Sequence, residues 1–227
     1  MCGIAGYLNY NGTVKAEILH QMLSAIGHRG PDAISGFVDK WVALGTARLS
    51  IVDLKGGAQP AVNNNRDVCV VFNGEIYNYR EERIGLIQKG YVFSTNSEVE
   101  TLLALYLEFG SKFVKRLNGQ FAIAIWDRRN ETLHLYRDRL GIRPLFWHRS
   151  DSGFIFASEI KSIFQHAEVS PRLNPNSIAQ TFRFWTNIGD TTSFEGIQQL
   201  PPGYHATLKQ KQLKIVKYWD WPFPCDQ

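Results

Sequence analysis

The stretch Cys2-Gly3-Ile4-Ala5-Gly6-Tyr7-Leu8 stands one residue in from Met1 and reads as a core strand. Chain ends are usually polar and frayed. A terminus written in apolar residues is one whose end is held in place, and the residue held there is a cysteine. Outward from this strand, residues 16–26 set Ile18, Leu19, Met22, Leu23 and Ile26 on one helical face, and His28-Arg29-Gly30-Pro31-Asp32 closes that element. Strands are expected at 34–38, 41–46 and 68–72, the last running into Asn73-Gly74-Glu75. A second helix should start at Ser97, a capping residue with Glu100 as its capping-box partner three positions on. Val99, Leu102, Leu103, Tyr106 and Leu107 supply its buried stripe, and Gly110 its stop.

Further strands are expected at 121–126, 133–136, 144–148 and 154–157. Their two faces are both apolar, which suits a sheet covered by another sheet on one side and by helices on the other. Residues 158–164 predict a short helix, and Asn174-Pro175 a cap and first turn for one more. A closing hairpin runs from Leu208 to Tyr218 with Gln210, Lys211 and Gln212 at its turn. Strands, helices and strands in one uninterrupted core predict a single layered α+β domain, with no convincing linker before Trp221.

Among the 227 residues, 44% are hydrophobic and 20% charged, which excludes the disordered and fibrous classes. The net charge of +4 is scattered, and Lys209, Lys211, Lys214 and Lys217 alternate with Leu208, Leu213 and Ile215 as the polar side of a strand or turn would. No nucleic-acid partner is therefore expected. Cys2, Cys69 and Cys225 are an odd set without zinc or disulfide spacing, which points to a reducing compartment. With neither a signal-peptide pattern nor a run of 18 apolar residues, a cytoplasmic protein that does not cross a membrane is expected.

The chemistry begins at Cys2. Removal of Met1 would give one residue both a thiol and a free α-amine, whose ordinary pKa near 7.7–8.0 lets it act as base to its own side chain. The plain alternative is a structural cysteine. Asn73 and Gly74 can supply a side-chain amide and a backbone N–H to a developing oxyanion, or form a tight hairpin turn. Arg48, in the mostly apolar run 47–53, is either a buried ion-pair partner or a clamp on a substrate carboxylate. Glu98 either serves the dipole of its helix or binds a cation. Arg48 and Glu98 together would suit the two charges of a free amino acid. His28 and His205 are isolated, Phe182, Phe184 and Trp185 read as core or interface residues, and no phosphate loop, dinucleotide fingerprint or His-Glu-x-x-His run is present.

Six motifs in order complete a pattern: 2–6, His28 to Asp32, Ala47 to Asp53, Asn73 to Asn78, Arg-Asp-Arg-Leu-Gly-Ile-Arg-Pro-Leu at 137–145 and Phe-Ala-Ser-Glu-Ile-Lys at 156–161. The chain resembles the glutaminase domain of glutamine-dependent asparagine synthetases, within the class II, N-terminal-nucleophile glutamine amidotransferases. The resemblance implies a four-layer αββα sandwich of two mainly antiparallel sheets over residues 1–220, with 221–227 as the start of a linker or tail. It implies Cys2 as nucleophile, its amine as base, and Asn73 and Gly74 as oxyanion donors. Arg48 would hold the α-carboxylate of L-glutamine, Leu49, Ile51 and Val52 would line the pocket, and Glu75 would meet the side-chain amide. The family's α-ammonium ligand is Asp, where this chain has Glu98, and Gly27 replaces a common Arg.

The implied reaction makes glutamate and ammonia through a Cys2 thioester and needs no metal or nucleotide. ATP and Mg²⁺ are expected only in an ATP-pyrophosphatase synthetase domain or subunit, the implied partner, and a homodimer is left open. Action on another amide, or glutamine binding without turnover, are the alternative functions.

Overall fold

The computed structural model describes residues 1–51, 53 and 56–222. In chain order its elements are β1 (Gly3–Asn9), α1 (Ala16–Ser24), β2 (Ala33–Val38), β3 (Val42–Arg48), β4 (Ala61–Val62), β5 (Val68–Ile76), α2 (Tyr79–Gln88), α3 (Glu98–Phe109), β6 (Gly119–Asp127), β7 (Thr132–Arg137), β8 (Phe146–Arg149), β9 (Gly153–Ala157), α4 (Ile160–Ile163), α5 (Pro175–Phe184), β10 (Ile197–Gln199), β11 (Tyr204–Lys209) and β12 (Gln212–Lys217). Two six-stranded sheets result, in the orders β10-β8-β9-β1-β3-β2 and β12-β11-β7-β6-β5-β4, and their ladders are antiparallel.

Residue alternation sorts each strand between two layers. Ile4, Leu8, Val42, Leu44 and Phe156 of the first sheet meet Cys69, Val71, Ala124 and Trp126 of the second in a core between the sheets. The intervening residues Ala5, Tyr7, Ala43 and Ala47 face outward, where Leu19, Met22 and Leu23 of α1 and Ile163 of α4 cover them. On the far side, Val68, Val70 and Phe72 pack against Val99, Leu102, Leu103 and Tyr106 of α3 and Leu86 of α2. This is the four-layer αββα sandwich. A buried side chain of Leu or Phe size contributes about 1.5–3 kcal/mol, so a register slip that reversed one central strand would be costly. Gly6 leaves room for its own sheet: a Cβ there would lie 2.6 Å from both the carbonyl of Ala43 on β3 and the ring of Phe156 on β9, the two strands that flank β1.

Three expectations change in detail. Ser97 caps α3 through Glu100 N at 3.4 Å, but the Glu100 carboxylate does not return to the Ser97 N–H. It takes Ser94 N, Thr95 N and both hydroxyls instead, because the chain before the helix folds over it. The final hairpin turns on Gln210 and Lys211 alone, both at positive φ, with Gln212 already paired to Lys209. Phe182, Phe184 and Trp185 are exposed on and beside α5, so of the two readings, core or interface, the core is removed and the interface stands open. No described helix is long and apolar enough to cross a membrane.

Candidate active site

Three strand ends meet at one rim of the layer between the sheets. Along β1 the inward residues are Ile4 and Leu8, so Cys2 continues their face; along β3 they are Val42 and Leu44, so Arg48 shares it; along β5 they are Cys69 and Val71, so Asn73 does. Cys2, Arg48, Leu49, Ile51, Asn73, Gly74, Glu75 and Glu98 accordingly line one cleft. Val52 lies outside the described residues. Ile51 and Glu75 stand exposed at the rim, whereas Asn73 and Glu98 are buried.

The Cys2 sulfur lies 3.4 Å from Leu49 N and 3.5 Å from Leu49 O. Behind it, Arg29 Nε donates to the Cys2 carbonyl at 3.0 Å and Arg29 Nη1 to Glu159 Oε1 at 2.9 Å. His28 and Lys161 also reach Glu159. Burial raises the Glu159 carboxyl, but the bonds from Arg29 and Lys161 outweigh it and leave the group below the usual carboxylate range. The 28–32 and 156–161 motifs thus meet to hold the backbone of the first strand. Sequence reasoning assigned them no such task, and the opposite charges of Arg29 and Glu159 were the only signal.

Asn73 and Gly74 are not a hairpin turn. The strand runs unbroken to Ile76, with Asn73 opposite Ala122 and Gly74 opposite Phe121. Glycine is required because β6 comes so close: a Cβ at Gly74 would lie 2.0 Å from the Gln120 carbonyl oxygen. Asn73 is 1% exposed, yet neither its Oδ1 nor its Nδ2 has a hydrogen-bond partner among the described residues. A buried polar atom without a partner costs about 1–3 kcal/mol. A donor left unused in the cleft that also holds the Cys2 thiol is available to a transient oxyanion.

β4 pairs only with Val70 and Cys69, which leaves the edge of β5 beyond it without a neighbouring strand. At this edge Ile76 N donates to Glu98 Oε1 at 2.8 Å. By the alternation of an antiparallel ladder, the Gly74 N–H points to the same edge. Glu98, the first residue of α3, is 7% exposed. Burial pushes its carboxyl up to about 7, the Ile76 N–H pulls it partly back, and Glu75 adds to the rise. Arg48 spends one guanidinium nitrogen on the Asp53 carbonyl at 3.0 Å and, among the described residues, forms no ion pair.

Arg143 also lines the cleft and was not singled out from the sequence. Asp138 accepts from the backbone N–H groups of Leu140, Ile142 and Arg143, and Arg137 donates to the carbonyls of Gly141, Arg143 and Leu200. This loop delivers a buried guanidinium whose Nε is unpartnered among the described residues. Met1, Gly57, Gln59, Phe72, Ser97 and Val99 complete the walls. Among the described residues no group of three or more His, Cys, Asp or Glu could hold a metal ion.

The sandwich and a cysteine at its rim define the class II, N-terminal-nucleophile type of domain, and known proteins agree. The glutamine amidotransferase domain family matches residues 1–219. Asparagine synthetase [glutamine-hydrolyzing] 2 of Bacillus subtilis is 39% identical over 230 residues, covering 96% of this chain and 30% of the relative. Asparagine synthetase [glutamine-hydrolyzing] 3 of the same organism is 34% identical over 225 residues, 97% of this chain and 37% of its own length. In fold, the structure titled "structure of the allosteric regulatory enzyme of purine biosynthesis" superposes with a TM-score of 0.70 at 17% identity, covering 96% of this chain and 49% of that one. The chain belongs to the glutamine amidotransferase domain family, as a class II domain related to the glutaminase domain of asparagine synthetases. It spans about a third of the length of these curated relatives.

Proposed function

We propose that the chain hydrolyses L-glutamine to L-glutamate and ammonia, with Cys2 as nucleophile. The observation that carries this reading is the buried, unpartnered Asn73 amide in the same cleft as the Cys2 thiol. In the proposed sequence the Cys2 α-amine takes the thiol proton and sulfur attacks the side-chain amide carbon. The oxyanion is held by Asn73 Nδ2 and Gly74 N–H. As the tetrahedral intermediate collapses the C–N bond breaks, and the proton from the amine leaves with ammonia. Water then attacks the γ-glutamyl thioester, gives its proton back through the amine, and releases glutamate and the thiol.

Arg48 is assigned to the substrate α-carboxylate and Glu98 to its α-ammonium. The charges have opposite signs and both residues line the cleft, as a zwitterion requires. Leu49, Ile51 and Val52 are assigned to the pocket wall and Glu75 to the amide end. Ammonia is proposed to pass to a synthetase domain or subunit beyond residues 1–220. The relatives' much greater length supports a further domain. A reducing, cytoplasmic setting is proposed from the unpaired Cys2 and Cys69.

While Met1 is attached, the Cys2 nitrogen is an amide and cannot accept the proton. The test compares intact and Met1-free protein, verified by mass, in an ammonia-release assay. Only the Met1-free form should turn over glutamine. Cys2→Ala should abolish release while changing glutamine affinity by less than about tenfold. Full activity with Met1 retained would overturn the free-amine mechanism, and equal or better kcat/KM on simple aliphatic amides would overturn the substrate.

A further inference from the structure

Nucleophile and oxyanion donors stand on different sheets, Cys2 before β1 and Asn73-Gly74 on β5. The core between the sheets holds them together, and the separation of these groups at the rim depends in addition on what ties the two sheets there. Gln59 does so from both ends. Its backbone carbonyl accepts from Ser35 Oγ of β2, in the first sheet. Its side-chain Oε1 accepts from Phe72 N of β5, in the second, at 2.7 Å. The amide cannot be turned round, because a backbone N–H needs an acceptor.

The second contact falls on the catalytic edge. Phe72, Gly74 and Ile76 direct their N–H groups to the side of β5 beyond β4. Gln59 occupies the first and Glu98 the third, at 2.7 and 2.8 Å. The Gly74 N–H is bracketed between two filled positions, and Asn73 follows Phe72 directly. Gln59 is itself 8% exposed and lines the cleft.

We propose that Gln59 is a positioning residue that sets the distance between the Cys2 thiol and the Asn73-Gly74 donors by strutting the two sheets at the site. It rests on the assignment of Asn73 and Gly74 as oxyanion donors. Loss of the strut displaces the donors from the place where charge develops, so the chemical step suffers and ground-state binding does not. A displacement on the order of 1 Å can cost up to about a hundredfold.

The experiment measures kcat and KM on Met1-free Gln59→Leu, Gln59→Glu, Ser35→Ala and Asn73→Ala, with melting temperature and, in the Cys2→Ala background, glutamine affinity by calorimetry. Gln59→Leu should lower kcat by about 10- to 100-fold with KM and affinity within about threefold. Ser35→Ala should move kcat in the same direction by a smaller factor. Gln59→Glu keeps an acceptor for Phe72 N, so its kcat should lie closer to wild type than that of Gln59→Leu. A merely structural residue would lower melting temperature without this kcat-against-KM split and without rescue by the variant that keeps the acceptor. If Asn73→Ala lowers kcat and Gln59→Leu leaves it unchanged, the strut is wrong. A raised KM at unchanged kcat would make Gln59 a substrate contact and equally overturn it. An unchanged kcat in Asn73→Ala would instead remove the oxyanion reading beneath both.

Discussion

Asn73 combines near-complete burial with an amide that has no hydrogen-bond partner among the described residues. Asn73→Ala should therefore lower kcat by about 10²–10³ with a much smaller change in KM, the usual effect of deleting one oxyanion donor. Steady-state kinetics at fixed pH would show it, and a proportional rise in KM would move Asn73 to ground-state binding. Glu98 makes a different prediction. Its carboxyl is pushed up to about 7 chiefly by burial, so the empty site is largely neutral there below that pH. An α-ammonium prefers the carboxylate. KM for glutamine should thus fall as pH rises, by about tenfold between pH 6 and 8, and Glu98→Gln should raise KM and flatten the trend. A wild-type KM that is level across this range, with the same value in the variant, would place the ammonium elsewhere. Cys2 is legible as a candidate from its place next to Met1, the Asn-Gly pair from following directly on an apolar strand, and Arg48 because a guanidinium is out of place in an apolar run. Arg143 was not, since an arginine in a basic loop advertises nothing until Asp138 and Arg137 are seen to fold the loop into the cleft.

At the level of elements, α3 carries Glu98 into the site, and its start depends on Glu100 organising residues 94 and 95. Burial raises the Glu100 carboxyl, but its bonds from Ser94 and Thr95 prevail and hold it below the ordinary range. Glu100→Ala should destabilise the protein by about 1–3 kcal/mol and raise KM more than it lowers kcat, because the displaced group is remote from the reacting amide. Denaturant unfolding alongside kinetics would check both, and a pure kcat defect would contradict the assignment of α3 to substrate binding. Most strands could be read from apolar runs, because a sandwich covered on both outer faces makes its central strands apolar throughout. α2 could not. Only Leu86 of its ten residues is buried, and Asn78 before it bonds Arg116 and Asn118 instead of capping the helix. β4 and β10, with two and three residues, are too short to show a period and exist because longer neighbours pair with them.

For the whole molecule, the outer face of the second sheet contributes to acid stability. His134 is held down to about 4 by burial, assisted by His205, against the pull of Asp127. His205 is also lowered, by burial and then by Lys214 and Lys115. Both are neutral when folded and free to charge when unfolded. The stability that rests on their being neutral is complete above the unfolded value near 6.5 and is lost as pH falls below it, for His134 through about 4. Melting temperature should drop over that window, by roughly 2–4 °C for each kcal/mol lost. His134→Gln, which can still meet Thr207, should make the drop shallower; an equal slope in the variant would assign it to other groups. The bare edge of β5 has a last consequence, for behaviour in solution. An unpaired strand edge invites a strand from another chain, and the proposed use of the Gly74 N–H as an oxyanion donor requires that position to stay uncovered. Here Gln59 and Glu98 fill the positions on either side, so among the described residues the Gly74 N–H is the one donor left between them. One such donor is too short a template for intermolecular pairing, so the chain can keep a reactive edge and still resist aggregation.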